Sequence, residues 1–156
     1  MRRFPKMPKS LLKRPPGFKV PRTKDFVADM QRLGEEIAED FKETVIENIE
    51  TNRYKFQETA STIARKGGSS PLVDSHQMVD AIYREGTTVS VEDTPRDDSP
   101  LTNKELAIVH EYGTKDKHIP ARPVWRNTFK DFKPIAQKRI ENFLVTQKFK
   151  KDGSKS

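Results

Sequence analysis

The chain contains no cysteine, which removes disulfide frameworks and thiolate metal sites from consideration. No apolar run approaches the roughly 18–20 residues that a membrane span requires. Nor does the N-terminus hold the roughly 7–15 residue apolar core of a secretory signal. The expectation is a soluble protein made in a cytosol, with no membrane partner. Glycine is scarce, 7 in 156 residues, and neither a Gly-x-Ser-x-Gly elbow, a phosphate-binding loop nor a dinucleotide fingerprint occurs. Gly67-Gly68 is followed by Ser69, without the lysine that follows the last glycine of a phosphate cradle.

Histidine is equally sparse, at three residues. His110-Glu111 begins like a zinc-protease helix, but the second imidazole of His-Glu-x-x-His falls on Thr114. His118 lies beyond a glycine and His76 is remote, so helix-end histidines explain the pattern better than a metal site. The carboxylates Glu92, Asp93, Asp97 and Asp98 sit among turn residues, where solvation explains them better than metal-dependent phosphodiester chemistry. No catalytic residue, metal or cofactor is expected, and the chain is expected not to be an enzyme.

What is abundant is positive charge, and it is unevenly placed. The formal net charge is +7, yet residues 1–24 hold Arg2, Arg3, Lys6, Lys9, Lys13, Arg14, Lys19, Arg22 and Lys24 with no acid, leaving the rest at −2. Pro5, Pro8, Pro15, Pro16 and Pro21 remove amide donors and fix φ there, so an extended polyproline-like arm is expected, about 70 Å long at roughly 3.1 Å per residue. Phe4, Met7, Leu11, Leu12, Phe18 and Val20 are interleaved with the cations. The arm either stays solvated or docks on protein or DNA.

From Asp25 the apolar residues Phe26, Met30, Leu33, Ile37, Phe41, Val45 and Ile49 recur every three or four positions, which predicts one long amphipathic helix. Its acidic stripe reads as a solvated face or, second, a dock for a basic arm. Residues 53–66 extend this helix or start another before Gly67-Gly68. After Pro71 a short helix capped by Asp74 or Ser75 is expected, with Met78, Val79 and Ile82 facing inward. Val89 and Val91 alternate as in a half-buried strand, with Tyr83–Glu85 as hairpin partner across Gly86. The stretch from Thr94 to Pro100 reads as an exposed loop. Thr102 with Glu105 forms a capping box, and Leu101 with Leu106 a hydrophobic staple, starting a helix near Asn103 that ends at Gly113.

A last helical pattern runs from Val124 to Leu144, with Pro123 as its first-turn proline and Pro134 predicting a kink or a split into two helices. The final nine residues read as a polar basic tail. This is an α+β domain: a long N-terminal helix and further helices packed on a small antiparallel sheet, with extended basic termini. The divisions are an arm at 1–24, a single domain at 25–146 and a tail at 147–156. Only 33% of the residues are hydrophobic, so the chain is expected to be a weakly associating monomer that completes its burial on partners.

Between the last two helices lies "HEYGTKDKHIPARPVW". Gly113 is expected to end one helix in a left-handed conformation. Pro120 and Pro123 hold Ile119 to Pro123 in an extended path. Arg122 offers a planar five-donor fork to a carboxylate or to helix-end carbonyls, and Trp125 follows as an apolar anchor. The expectation is a rigid strap between two helices.

These residues carry a family resemblance. His110, Glu111, Tyr112, Gly113 and Thr114, followed by Ile119, Pro120, Arg122, Pro123 and Trp125, resemble the two-part motif of tail-completion or head–tail joining proteins of tailed bacteriophages. Upstream, "PLVDSHQMVDAI" at Pro71 to Ile82 is similar to their Pro-x-x-Thr-Gly-x-Leu-x-x-Ser-Ile, with Ser75-His76 in place of Thr-Gly. The likeness spans roughly Asp25 to Leu144, and the basic arm is longer than the pattern requires. It implies a structural virion protein of the neck, assembled in the host cytoplasm as a ring of six copies through which DNA passes. The implied neighbours are tail terminator or tail tube proteins on one side and head-side connector or stopper proteins on the other. The arm would lace adjacent subunits or contact packaged double-stranded DNA without reading sequence. The alternative is a stand-alone, sequence-nonspecific nucleic-acid-binding protein acting through the arm.

Overall fold

The computed structural model describes residues 24–58, 76–116 and 118–153, with side chains as far as Gln147. Arg2 to Arg22, the stretch 59–75 with Asp74 and Ser75, and Lys117 lie outside the described residues. Lys24, the last arm cation, is the first residue of helix α1 (Lys24–Glu50). The helix ends in a turn at 51–54, and no helix extends it through residues 55–58.

Helix α1 lies antiparallel to the C-terminal helix α4 (Val124–Gly153). Phe26 meets Phe143 at one end of the pair, with ring centroids 5.7 Å apart. Phe41 packs against Trp125, Phe129 and Phe132 in the middle. Asn48 donates to Thr128 at the other end, 2.9 Å away. Arg139 of α4 pairs with Glu36 and Asp40 of α1, so part of the acidic face is an interhelical seam. Those pairs are exposed and contribute little stability; register comes from the aromatic stack.

Helix α4 runs through Pro134 as one helix, where the sequence allowed two. Pro134 is exposed, so the carbonyl it leaves without a donor faces water, and packing on α1 holds the helix across the gap. Residues 147–153 continue the helix, so an extended tail begins no earlier than Ser154.

Across α1 sits an antiparallel hairpin, β1 (Ile82–Glu85) with β2 (Thr88–Val91), in the register Ile82 with Val91 and Glu85 with Thr88. Gly86 takes φ 57° at the first central turn position, where a two-residue hairpin loop needs a positive φ. A lone hairpin is marginal in water. Here Ile82 and Val91 bury one face against α1, and Arg84 pairs with Glu39 at 2.7 Å. The one-turn helix α2 (Gln77–Asp80) precedes it. Its N-cap is His76 at φ 60°, with no side-chain cap, where the sequence predicts a short helix capped by Asp74 or Ser75. Ile82 is buried as anticipated, from a strand.

The core gathers Val45, Ile49, Met78, Val79, Ala81, Ile82, Val91, Ala107 and Val124. Val45 and Ile49 are 0% exposed, each contributing about 1.5–3 kcal/mol from burial alone. The loop before α3 (Asn103–Tyr112) is more ordered than its composition suggests. The Arg96 side chain is only 3% exposed and donates to Asn103 at 2.9 Å and Asp98 at 2.7 Å. Thr102 and Glu105 form the full reciprocal capping box.

Candidate functional site

The strap from His110 to Arg126 is where the sequence concentrates its unusual residues, and in the structure it is a joint. Helix α3 delivers Glu111 on its last turn with the side chain inward and the residue 6% exposed. Its carboxylate reaches the start of α4, accepting from the backbone amides of Trp125 at 3.0 Å and Arg126 at 3.1 Å. The Arg126 side chain returns to the same carboxylate at 2.9 Å and to the Glu111 carbonyl at 3.0 Å. A carboxylate on the free amides of a first turn satisfies orphan donors and sits at the positive end of the helix dipole. One side chain thereby ends one helix and begins the next. Pro123 sits one position earlier than expected: its carbonyl accepts the first α4 bond, from Asn127, the role of an N-cap.

Gly113 makes the turn possible. Its φ of 71° with ψ −179° is the extended positive-φ region that essentially only glycine occupies, in place of the left-handed helical conformation expected. A Cβ there would sit 2.7 Å from the Ile119 carbonyl oxygen and 2.8 Å from the Ala121 nitrogen. Thr114 then closes the loop: its amide donates to Ile119 O at 3.0 Å, its hydroxyl donates to Asp116 at 2.5 Å, and that oxygen accepts from the Ile119 amide at 3.0 Å. The Thr114 hydroxyl and the His118 amide hold the Asp116 carboxyl below its usual range.

Arg122 is buried. Its amide donates to the His110 carbonyl at 2.6 Å, tying the strap to α3. Its guanidinium donates to the Gln57 carbonyl at 3.0 Å, tying the strap to the chain leaving α1. Burial pulls its pKa below the ordinary arginine value, and the charge of Glu58 opposes that. Trp125 packs on the core beside Phe41, and Tyr112 is exposed with Arg126 stacked 5.0 Å over its ring. The motif residues Glu111, Gly113, Thr114, Ile119, Arg122, Pro123 and Trp125 therefore form one unit. His118 and Pro120 lie on its exposed rim.

Among the described residues no three His, Cys, Asp or Glu side chains are grouped to hold a metal ion, and no helix is long and apolar enough to cross a membrane. An open groove of about 850 Å³ lies beside the strap's anchor on Gln57, between the end of α1, the 51–57 turn and α4. Nothing in the sequence signals it, nor the polar cluster behind Asn48 and Asp131, two of its lining residues. There Tyr54 donates to Asp131 at 3.0 Å, and the 0% exposed Thr128 accepts from Asn48. Burial first, and Asp131 beside it, raise the Tyr54 pKa. Compared with known proteins, the chain matches no family model, no curated sequence and no solved structure.

Proposed function

We propose that the chain is a structural virion protein of a tailed bacteriophage, a neck or tail-completion component forming a ring at the head–tail interface through which DNA passes. In this reading it catalyses nothing and acts through its shape. The observation that supports it is mechanical: the residues carrying the family resemblance are those that lock α3 to α4 through Glu111, Gly113 and Arg122. A joint with this little freedom suits a part seated between neighbours in a particle, where a fixed angle between helices lowers the ordering cost of assembly. Its neighbours would be its own copies, tail tube or terminator proteins, and head-side connector proteins.

Deleting residues 1–24 tests the reading in the producing host. Heads and tails that form but fail to join, or that lose DNA, support it; normal infectious particles oppose it. The nine arm cations favour a second reading, sequence-nonspecific nucleic-acid binding by a monomer. That reading predicts that the same deletion abolishes a steeply salt-dependent affinity for duplex DNA.

A further inference from the structure

We infer that the groove between the end of α1 and α4 is the docking site of the chain's own N-terminal arm, with Leu11 and Leu12 seated in it and Lys13 and Arg14 against the carboxylates of α1. The inference stands independently of the virion reading. The groove offers Phe56, Phe132 and Ile135 as apolar contacts, and Ile135 is left 56% exposed.

The lining itself balances Glu47 and Asp131 against Arg53 and Lys55; the excess of acid lies on the adjoining face of α1. Glu36, Asp40, Glu43, Glu47 and Glu50 are spaced by four and three residues in turn and are all exposed, so they form one stripe down the helix. Arg139 takes up the first two. Among the described residues no cation pairs with Glu43, Glu47 or Glu50, and the last turn of α1 holds no basic residue. These three carboxylates repel one another, and Glu47 and Glu50 lie in the last turn at the negative end of the helix dipole, an arrangement that a cationic chain relieves. Glu47 belongs both to the stripe and to the groove wall.

The arm fits in charge and in length. Residues 1–23 carry eight cations and no acid. From Lys24 to Asn48 the helix rises about 36 Å at roughly 1.5 Å per residue. A polyproline-like segment covers about 37 Å in twelve residues at roughly 3.1 Å each. Folding back along α1 therefore brings the arm's adjacent apolar pair, Leu11-Leu12, to Phe56 and Ile135, with Lys13-Arg14 beside Glu43 to Glu50. Because the arm is tethered to α1, its effective concentration is on the order of millimolar, which favours its own groove over a neighbour's in dilute solution.

The absence of cysteine makes the test clean. A full-length chain with Leu12→Cys is labelled with a photo-crosslinker at micromolar concentration, irradiated and mapped by mass spectrometry. Mixing isotope-labelled with unlabelled copies separates intramolecular from intermolecular links. The expected result is intramolecular crosslinks to Asn48, Thr51, Phe56 and Ile135, at least tenfold fewer in a Glu43→Gln/Glu47→Gln/Glu50→Gln variant of unchanged circular dichroism. Crosslinks scattered over the surface, concentrated in residues 59–75, dominated by intermolecular pairs, or indifferent to the charge change would each overturn the inference.

Discussion

The carboxylate of Glu111 caps the backbone amide of Trp125 at 3.0 Å, so the last turn of α3 and the first turn of α4 share a single buried ion. Because Glu111 also holds the Arg126 amide and side chain, its removal strands several donors at once. Glu111→Ala is expected to destabilise the protein by about 2–3 kcal/mol, and Glu111→Gln by less, since the amide oxygen still accepts. Urea denaturation monitored by Trp125 fluorescence checks both the size and the order.

Gly113→Ala should be nearly as damaging without removing any interaction. The new methyl enters a space already occupied by the Ile119 carbonyl, and the φ of 71° is unfavourable to it. The expected loss is about 2–4 kcal/mol. A variant that melts with the parent would show that the turn relaxes freely.

Arg122→Lys keeps a charge but loses the planar fork that reaches the Gln57 carbonyl. Hydrogen exchange in residues 53–58 should accelerate by tenfold or more, while the α1–α4 core keeps its protection. Unchanged exchange in that segment would mean that the strap does not anchor it.

Tyr54 sets an alkaline limit. Its folded pKa is raised, first by burial, so its stabilisation is complete below the unfolded tyrosine pKa and is lost as pH rises through the folded one. Tyr54→Phe should cost about 1 kcal/mol at neutral pH, and the gap to the parent should narrow above the ordinary tyrosine range. Glu39 works in the opposite sense. Lys42 and then Arg84 hold its pKa down, so its contribution is present above the unfolded carboxylate pKa and disappears as pH falls through the folded value. Denaturation midpoints of Glu39→Gln and parent should converge in acid.

Much of this architecture was legible in the sequence wherever the signal was local. The Thr102–Glu105 box, the Val89/Val91 alternation and the Phe26-to-Ile49 period each name their own element, and each element formed. What could not be read depends on partners distant in sequence. Arg122 announced a donor fork, but its acceptor at Gln57 is 65 residues away and is a backbone carbonyl with no compositional mark. Glu111 is marked only by the family motif and an incomplete His-Glu pair, because helix spacing alone does not reveal that a following helix folds back onto it. Pro134 leaves a kink and a split both open for the same reason, and the helix stays unbroken because α1 packing outweighs one missing hydrogen bond. Arg96 looked solvated in a turn-rich loop, yet Asn103 and Asp98 bury it.

The proposal of a rigid part that closes into a ring only among its neighbours is tested most directly by mass. Sedimentation of the purified full chain, alone at micromolar concentration and mixed with tail tubes, should give a monomer in the first case and a discrete tube-bound oligomer, consistent with six copies, in the second. A stable hexamer in dilute solution, or a chain that stays monomeric beside tail tubes while binding duplex DNA, would contradict it.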